Sequence, residues 1–353
     1  MPKASNGVKT LKDFNVAGKR ILIRCDFDVP MDEKGNILDD YRIKQSLPTI
    51  EYLVKNKAKV ILMGHAGRPD GKVVESLRLI SVQKSLEKHL GLKIIKADDC
   101  VGKEVESLVA SLGEGGILLL ENLRFHKEET DNNPEFAEKL SKLGDIYVDN
   151  AFANSHRNHA SMTGICKYLP SAAGFTLAKE IEVLDKVMKN PGKPLVVIIG
   201  GVKVEETKLK LINNFSKSAE AVIISGLIKK GTQDKKIEFE NPDKIIFPTG
   251  KLDALDINNE SIKIFQEKIM QAKTILWNGP FGKFEDKKYE KGTLAIAKAI
   301  IKSKAFSIVG GGDTVDFVNK QGMIDKFSHV STGGGAMLSY LAGDKLPGLE
   351  ALG

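Results

Sequence analysis

The chain has 353 residues, 42% of them hydrophobic, and its 53 Lys and Arg exceed its 46 Asp and Glu to give a formal net charge of +7. Such a length exceeds what one hydrophobic core usually serves, so two domains are expected. The basic residues alternate with acids, form no long block, and sit among only 6% aromatics, which argues against a nucleic-acid partner despite the positive charge.

In chain order, the opening MPKASNGVKTLKDF holds no apolar core of signal-peptide length. No later run approaches the roughly 20 apolar residues that cross a bilayer, so a cytoplasmic protein without a membrane partner is expected. Short runs rich in Ile, Val and Leu follow at 20–24, 59–63, 116–120 and 145–148, alternating with segments of helical period at 42–54 and 79–90. That alternation signals βαβ units around a buried parallel sheet. A helix over 177–189, closed by Asn190, Pro191 and Gly192, connects this half to a second one. There the pattern restarts with LVVIIGG, AVIIS, TILWNGP, AFSIVGGGD and FSHVSTGGG. The expected fold class is α/β: two doubly wound parallel-sheet, Rossmann-like domains joined by a helix, with a C-terminal tail that can return to the N-terminal domain. The expected boundaries are 1–172, 173–192 for the connecting helix, 193–340, and 341–353 for the tail. Cys25, Cys100 and Cys166 lack CxxC spacing and cannot all pair, so buried free thiols are expected rather than a disulfide framework or a zinc site.

The two halves differ in the turns that end their apolar runs. In the first half those turns carry Arg24, Arg42, His65 with Arg68, Arg124, and His156 with Arg157. Any one of these could be a cap or a satisfied core residue. Clustered at the strand ends of one sheet, they would repel one another unless an anion binds, and the arginine fork suits carboxylate or phosphate. In the second half the runs lead into glycines: Gly200 and Gly201 before Lys203, Gly279, then Gly310, Gly311 and Gly312 before Asp313, and Gly333, Gly334 and Gly335. Each loop alone is more often just a tight connection. Together, with Asp313 able to hold Mg²⁺ and helices starting at Asp313 and near Gly335, they point to a nucleotide's phosphates. The stretch from Gly226 to Gly231 and Thr232 lacks the lysine of a Walker A loop, and no complete GxGxxG fingerprint occurs. This argues against a P-loop kinase and a dinucleotide dehydrogenase.

RCDFDVP, DDYRIKQSLPTI, VILMGHAGRPDG, LLLENLRFHKEE, LGDIYVDNAFANSHRNHAS, LPSAAGF, WNGPFGKFE, FSIVGGGDT and HVSTGGGA, in this order over almost the whole chain, resemble phosphoglycerate kinases. The resemblance implies a monomeric, hinge-bending enzyme of glycolysis that moves the acyl phosphate of 1,3-bisphosphoglycerate to Mg-ADP, giving 3-phosphoglycerate and ATP. It implies an acid-substrate site at Asp26, Asp28, Arg42, His65, Arg68, Arg124 and Arg157. For the nucleotide it implies Lys203, Lys208, Asn278, Pro280, Glu285, Gly310, Gly311, Gly312, Asp313 and Thr314, with Asp313 on the metal and Glu285 near the ribose. Charge on the moving phosphoryl group would be met by Arg42 and Lys203, aided by the helix start at Gly333, Gly334 and Gly335.

Three departures from the family pattern matter. Asp28 stands where the family has Asn, and a second carboxylate at about 4 Å from an anionic substrate could cost up to roughly 4 kcal/mol at an effective dielectric near 20. The GGVKVEETK loop is one residue longer than the family's. Between Ser225 and Asp256 the chain is shorter than its relatives, which carry a GGGMAYTFL segment, a helix and a further strand, and Asn258 replaces the glycine of their LDIGP. A smaller second domain is expected, together with an altered adenosine pocket. A non-catalytic relative, acting as a metabolite-binding or interaction protein, is the alternative reading.

Overall fold

A computed structural model describes residues 7–353. Contacts divide the chain into two compact units: one runs up to Glu182 and includes Lys345–Gly353, the other is Val183–Asp344.

The first unit holds strands β1 (Arg20–Arg24), β2 (Lys59–Met63), β3 (Ile95–Lys96), β4 (Ile117–Leu119), β5 (Ile146–Asp149) and β6 (Ser171–Ala173). They form one sheet in the order β3-β4-β2-β1-β5-β6, with every neighbouring pair parallel. Helices α1 (Tyr41–Lys55), α2 (Ile80–Leu90), α3 (Lys103–Ser111), the short α4 (Lys127–Thr130) and α5 (Pro134–Ser141) lie in the connections, and α6 (Phe175–Lys189) carries the chain across the boundary between the units. The ends of α1 and α2 fall within a residue of those their periodicity predicts. Gly91, with φ 65, ends α2 in the left-handed turn expected of a C-terminal glycine. Side chains from β1, β2, β4 and α1, among them Ile21, Ile23, Leu62, Leu119 and Ile50, share one buried apolar cluster.

The second unit holds β7 (Leu195–Ile199), β8 (Ala221–Ile224), β9 (Ile245–Ile246), β10 (Thr274–Asn278), β11 (Phe306–Gly310) and β12 (His329–Val330), all parallel, in the order β12-β11-β10-β7-β8-β9. Its helices are α7 (Glu206–Ser216), α8 (Gly226–Asp234), α9 (Asn259–Gln271), α10 (Lys291–Ser303), α11 (Gly312–Lys320) and α12 (Gly334–Leu341). The shortened stretch after Ser225 therefore still supplies a helix, α8, and an edge strand, β9. The last helix, α13 (Pro347–Glu350), belongs to the first unit, where Gly348 N donates to Ser155 O at 2.8 Å. Among the described residues no helix is long and apolar enough to cross a membrane.

At the carboxyl end of the first sheet, apolar strands give way to buried charge. Arg24, Glu129 and Asp149 are each 0% exposed. Arg24 Nε donates to Ser161 Oγ at 3.0 Å, and Ser161 donates in turn to Glu129 through its hydroxyl at 2.6 Å and its amide at 2.9 Å. His159, 3.7 Å from Glu129, is pushed down to about 4 by burial and by Arg124, Arg24 and Arg157, so it is neutral at pH 7. A depressed histidine contributes stability that is complete above its unfolded value near 6.5 and is lost as pH falls towards 4. Asp149, pushed up to about 6 by burial, works in the opposite direction over much of that window, so the contribution must be read as a difference between chains. In urea unfolding, His159→Gln should cost more stability at pH 7 than at pH 4. An equal cost at both would mean that this imidazole is not held neutral by its surroundings.

Candidate active site

Each sheet places its candidate residues at strand carboxyl ends, where the strand order reverses and a crevice opens in doubly wound folds. In the first unit, the segment after β1 carries Asp26 and Asp28, and the first turn of α1 carries Arg42. Arg42 Nη1 lies 3.1 Å from Asp26 Oδ2 and donates to Asp28 O at 3.2 Å, which fixes the guanidinium beside the end of β1. Burial raises the Asp26 carboxyl, Arg42 opposes the rise, and Asp28 adds to it.

His65, which follows β2, is 2% exposed and held well below the ordinary histidine range by burial, then by Arg24 and Arg124. Arg24 Nη2 sits 3.0 Å from its Nδ1. A guanidinium can only donate, so Nδ1 accepts and the ring proton resides on Nε2. That Nε2–H lies 3.7 Å from Asp28 Oδ2, while Asp28 Oδ1 accepts from Gly67 N–H at 2.8 Å. Asp28 is thus held by a backbone amide and faced by an imidazole, rather than paired with an arginine. Arg124, on the turn after β4, donates to Gly67 O at 2.9 Å, and burial together with Arg24 lowers its pKa while Asp28 partly restores it. Arg68 and Arg157 are exposed at the same end of the sheet, and their guanidinium groups make no hydrogen bond or ion pair with the described residues. Arg42 meets Asp26, Arg124 lies near Asp28, and Arg157 acts on Arg124, while Arg68 follows β2 at the same end of the sheet, so guanidinium groups outnumber the carboxylates of the segment after β1, an imbalance that favours a bound anion.

In the second unit the strand order reverses between β7 and β10, and their carboxyl ends cross at van der Waals distance. Gly200 N donates to Asn278 O at 2.7 Å and Gly201 N to Pro280 O at 2.8 Å. A Cβ on Gly200 would stand 2.2 Å from Gly279 O, and one on Gly279 2.4 Å from the Gly200 carbonyl carbon. Only glycine fits at either position. Thr314, 0% exposed, accepts from Gly279 N–H at 2.8 Å, so its hydroxyl braces this crossing from within. The Asn278 amide nitrogen is buried without a partner, next to Gly311, whose φ is 94.

The N-termini of α11 and α12 meet here: a Cβ on Gly334 would lie 3.9 Å from Gly312 N. Two helix starts side by side direct several unpaired N–H groups at one place, an arrangement suited to phosphate. Asp313 is exposed in the first turn of α11. Burial lowers the Lys208 pKa, Glu205 and Asp313 raise it, and Lys203 lowers it again, so Lys203, Lys208 and Asp313 share one neighbourhood. Beside them opens a cavity of about 510 Å³, within the usual range for small-molecule sites. Its wall includes Leu252, Ile257, Pro280, Phe281 and Phe284, and its rim includes Glu285 and Asp313. The shortened stretch, far from losing the cavity, forms one side of it.

Sequence reasoning did not single out Ser161, Glu129 or Asp149, nor the wall residues Thr249 and Leu252. Asp149 had a visible signal, a carboxylate ending an apolar strand. The others had none. One further group of metal-ligating atoms, from Asp99, Cys100 and His126, lies together in the first unit. Its atoms are already engaged: His126 Nε2 is 2.5 Å from Asp99, and Cys100 Sγ donates to Glu121 O.

The family model described as "Phosphoglycerate kinase" matches residues 11–233 and 229–344. The two matched segments overlap at 229–233, inside α8. The chain is 42% identical to the phosphoglycerate kinase of Moorella thermoacetica over 389 aligned positions, covering 97% of this chain and 98% of the relative. It is also 42% identical to that of Aquifex aeolicus, with 98% of each covered. The phosphoglycerate kinase structures from Pyrococcus horikoshii and Coxiella burnetii superpose with TM-scores of 0.86 and 0.81, each at 32% identity and 98% coverage of both chains. With its two parallel six-stranded sheets and these full-length matches, the chain belongs to the phosphoglycerate kinase family.

Proposed function

We propose that this chain catalyses the reversible transfer of the acyl phosphate of 1,3-bisphosphoglycerate to Mg-ADP, giving 3-phosphoglycerate and ATP, as a cytoplasmic monomer of glycolysis. Family membership supports the reaction class. The observation that carries the residue-level reading is the pairing of unlike sites: an excess of guanidinium groups in one unit, and a cavity beside two helix N-termini in the other. Each unit is proposed as a domain that binds one substrate.

In the first domain Arg42, Arg68, Arg124 and Arg157 would grip the carboxylate and phosphate of the phosphoglycerate, with His65 donating from Nε2. In the second, the cavity would take the nucleoside, with Glu285 near the ribose. The N–H groups at Gly311, Gly312, Gly334 and Gly335 would meet the phosphates, while Lys203 and Lys208 would add positive charge; Gly310 is buried at the end of β11 and the Gly333 N–H is spent on Ser331 Oγ at 3.1 Å, so these two glycines shape the turns without donating. Mg²⁺ bound with the nucleotide would neutralise part of its phosphate charge. The Asp313 carboxylate, exposed at the rim beside two lysines, is the donor that suits it.

Phosphoryl transfer asks the protein chiefly for in-line positioning and for positive charge around the moving group. A β-phosphate oxygen of ADP attacks the acyl phosphorus and the bond to the carboxyl oxygen breaks. Both the attacking oxygen and the departing carboxylate are ionised, so no general base is needed. Hinge closure, as in the family, would bring the bound substrates together and exclude the water that would hydrolyse the acyl phosphate.

With Mg-ATP and 3-phosphoglycerate, the purified chain should form ADP in a coupled assay, and Arg42→Ala or Lys203→Ala should lower kcat at least about 100-fold without unfolding the protein. Binding of both substrates by the wild type with no turnover would instead leave a metabolite-binding protein. Asp28→Asn should lower KM for 3-phosphoglycerate by about fivefold, because it removes a negative charge facing an anion. An unchanged KM would mean that the nearby Arg124 guanidinium already offsets that carboxylate's charge.

A further inference from the structure

The wall of the nucleotide cavity is built on the shortened stretch, and the turn at 248–251 has no regular secondary structure to hold it. Side chains from the start of α9 tie it down: Glu260 accepts from Thr249 Oγ1 at 2.9 Å, and Asn258 and Ser261 hold the Thr249 backbone. Asn258 is the N-cap of α9, its Oδ1 accepting from Ser261 N and Ser261 Oγ, both at 2.8 Å. Its Nδ2 donates to Thr249 O at 3.0 Å and to Thr249 Oγ1 at 3.2 Å. Ser261 Oγ completes the tie by accepting from Thr249 N–H at 2.9 Å. Thr249, Lys251, Leu252 and Asn258 all line the cavity.

Glycine, the residue expected here from the family pattern, has no side chain and can do none of this. A cap alone would be served by Ser, Thr or Asp as well as by Asn. Donation to Thr249 is what only the amide adds, because of those four side chains it alone both accepts at the helix end and offers a fixed N–H pair to a neighbouring backbone. A second tie holds the same wall from α8, where Lys230 Nζ lies 2.6 Å from Asp253. Leu252, between the two ties, packs its carbonyl against Gly226 at the start of α8, where a Cβ would stand 2.2 Å away.

We propose that Asn258 is a positioning residue for nucleotide binding: its amide fastens the 248–251 turn to the start of α9, so that a chain lacking its relatives' longer segment keeps a formed nucleoside pocket. This rests on the assignment of the cavity to the nucleotide. A wall formed only part of the time weakens apparent affinity by the fraction of molecules in which it is formed.

The test is calorimetric titration of Mg-ADP into the full chain, alongside 3-phosphoglycerate titration and thermal melts. Asn258→Asp keeps the cap acceptor but loses both donations to Thr249. Its Kd for Mg-ADP should rise by about 5-fold or more, the worth of one or two ordinary hydrogen bonds, with the Kd for 3-phosphoglycerate and the melting temperature little changed. Asn258→Gly should show the same or a larger rise in the Mg-ADP Kd, and Asn258→Gln should not restore wild-type affinity. If the wild type binds Mg-ADP and Asn258→Asp binds it equally well, the inference is overturned. A parallel loss of both affinities and of melting temperature also overturns it, since Asn258 would then serve only the fold. If the wild type binds no Mg-ADP, the fault lies with the assignment of the cavity.

Discussion

The structure turns on a charge imbalance at the carboxyl end of the first sheet. Arg24 is sealed beneath it and Arg42, Arg68, Arg124 and Arg157 lie at the same sheet end, with the buried Asp26 and the half-exposed Asp28 as the nearby carboxylates of the segment after β1. Such an arrangement holds together only because the imidazoles in its midst stay uncharged. Arg24 donates to His65 Nδ1, so the ring cannot take a second proton there without losing that bond. His159 is likewise kept neutral by burial and by three arginines. The remaining positive charge is left for a ligand, and the buried Arg24–Ser161–Glu129 chain anchors the platform on which it rests.

The second sheet meets an anion by other means. Its charges are few, and it relies on backbone: two strand ends crossing at Gly200 and Gly279, and two helix starts brought together at Gly312 and Gly334. Backbone N–H groups cost no side-chain ordering and carry no net charge, and at helix starts they suit an anion. Lys203 and Lys208 supply what formal charge there is. On the proposed assignment the two units would divide the chemistry, one gripping a small polyanion with fixed cations and the other cradling phosphates beside an apolar cavity.

Much of this was legible in the sequence. Continuous runs such as LVVII and RILIR read as buried parallel strands because both faces are covered, and the basic and glycine turns fell at their carboxyl ends because a doubly wound sheet exposes its loops there. The short edge strands β3, β6 and β9 were not legible, since no apolar run leading into a basic or glycine turn marks them as it marks the equally short β4 and β12. Arg24 read as one more basic turn, yet it is wholly buried and works through His65, a distinction that spacing cannot make. The shortened stretch after Ser225 suggested an altered nucleotide pocket. Asn258 meets Thr249 nine residues back, and Lys230 and Gly226 meet Asp253 and Leu252 more than twenty residues on, contacts that a single sequence does not display. The same limit applies to Thr314, whose place among the glycine turns gave no sign that its hydroxyl is spent on Gly279.

The central claim is that each unit holds its own ligand with its own residues. It is tested most directly by titrating 3-phosphoglycerate, with no nucleotide present, into the whole chain and into the Arg124→Ala and Lys203→Ala variants. Binding should be lost in Arg124→Ala and unaltered in Lys203→Ala. Loss of 3-phosphoglycerate binding in Lys203→Ala, with binding retained in Arg124→Ala, would contradict the account.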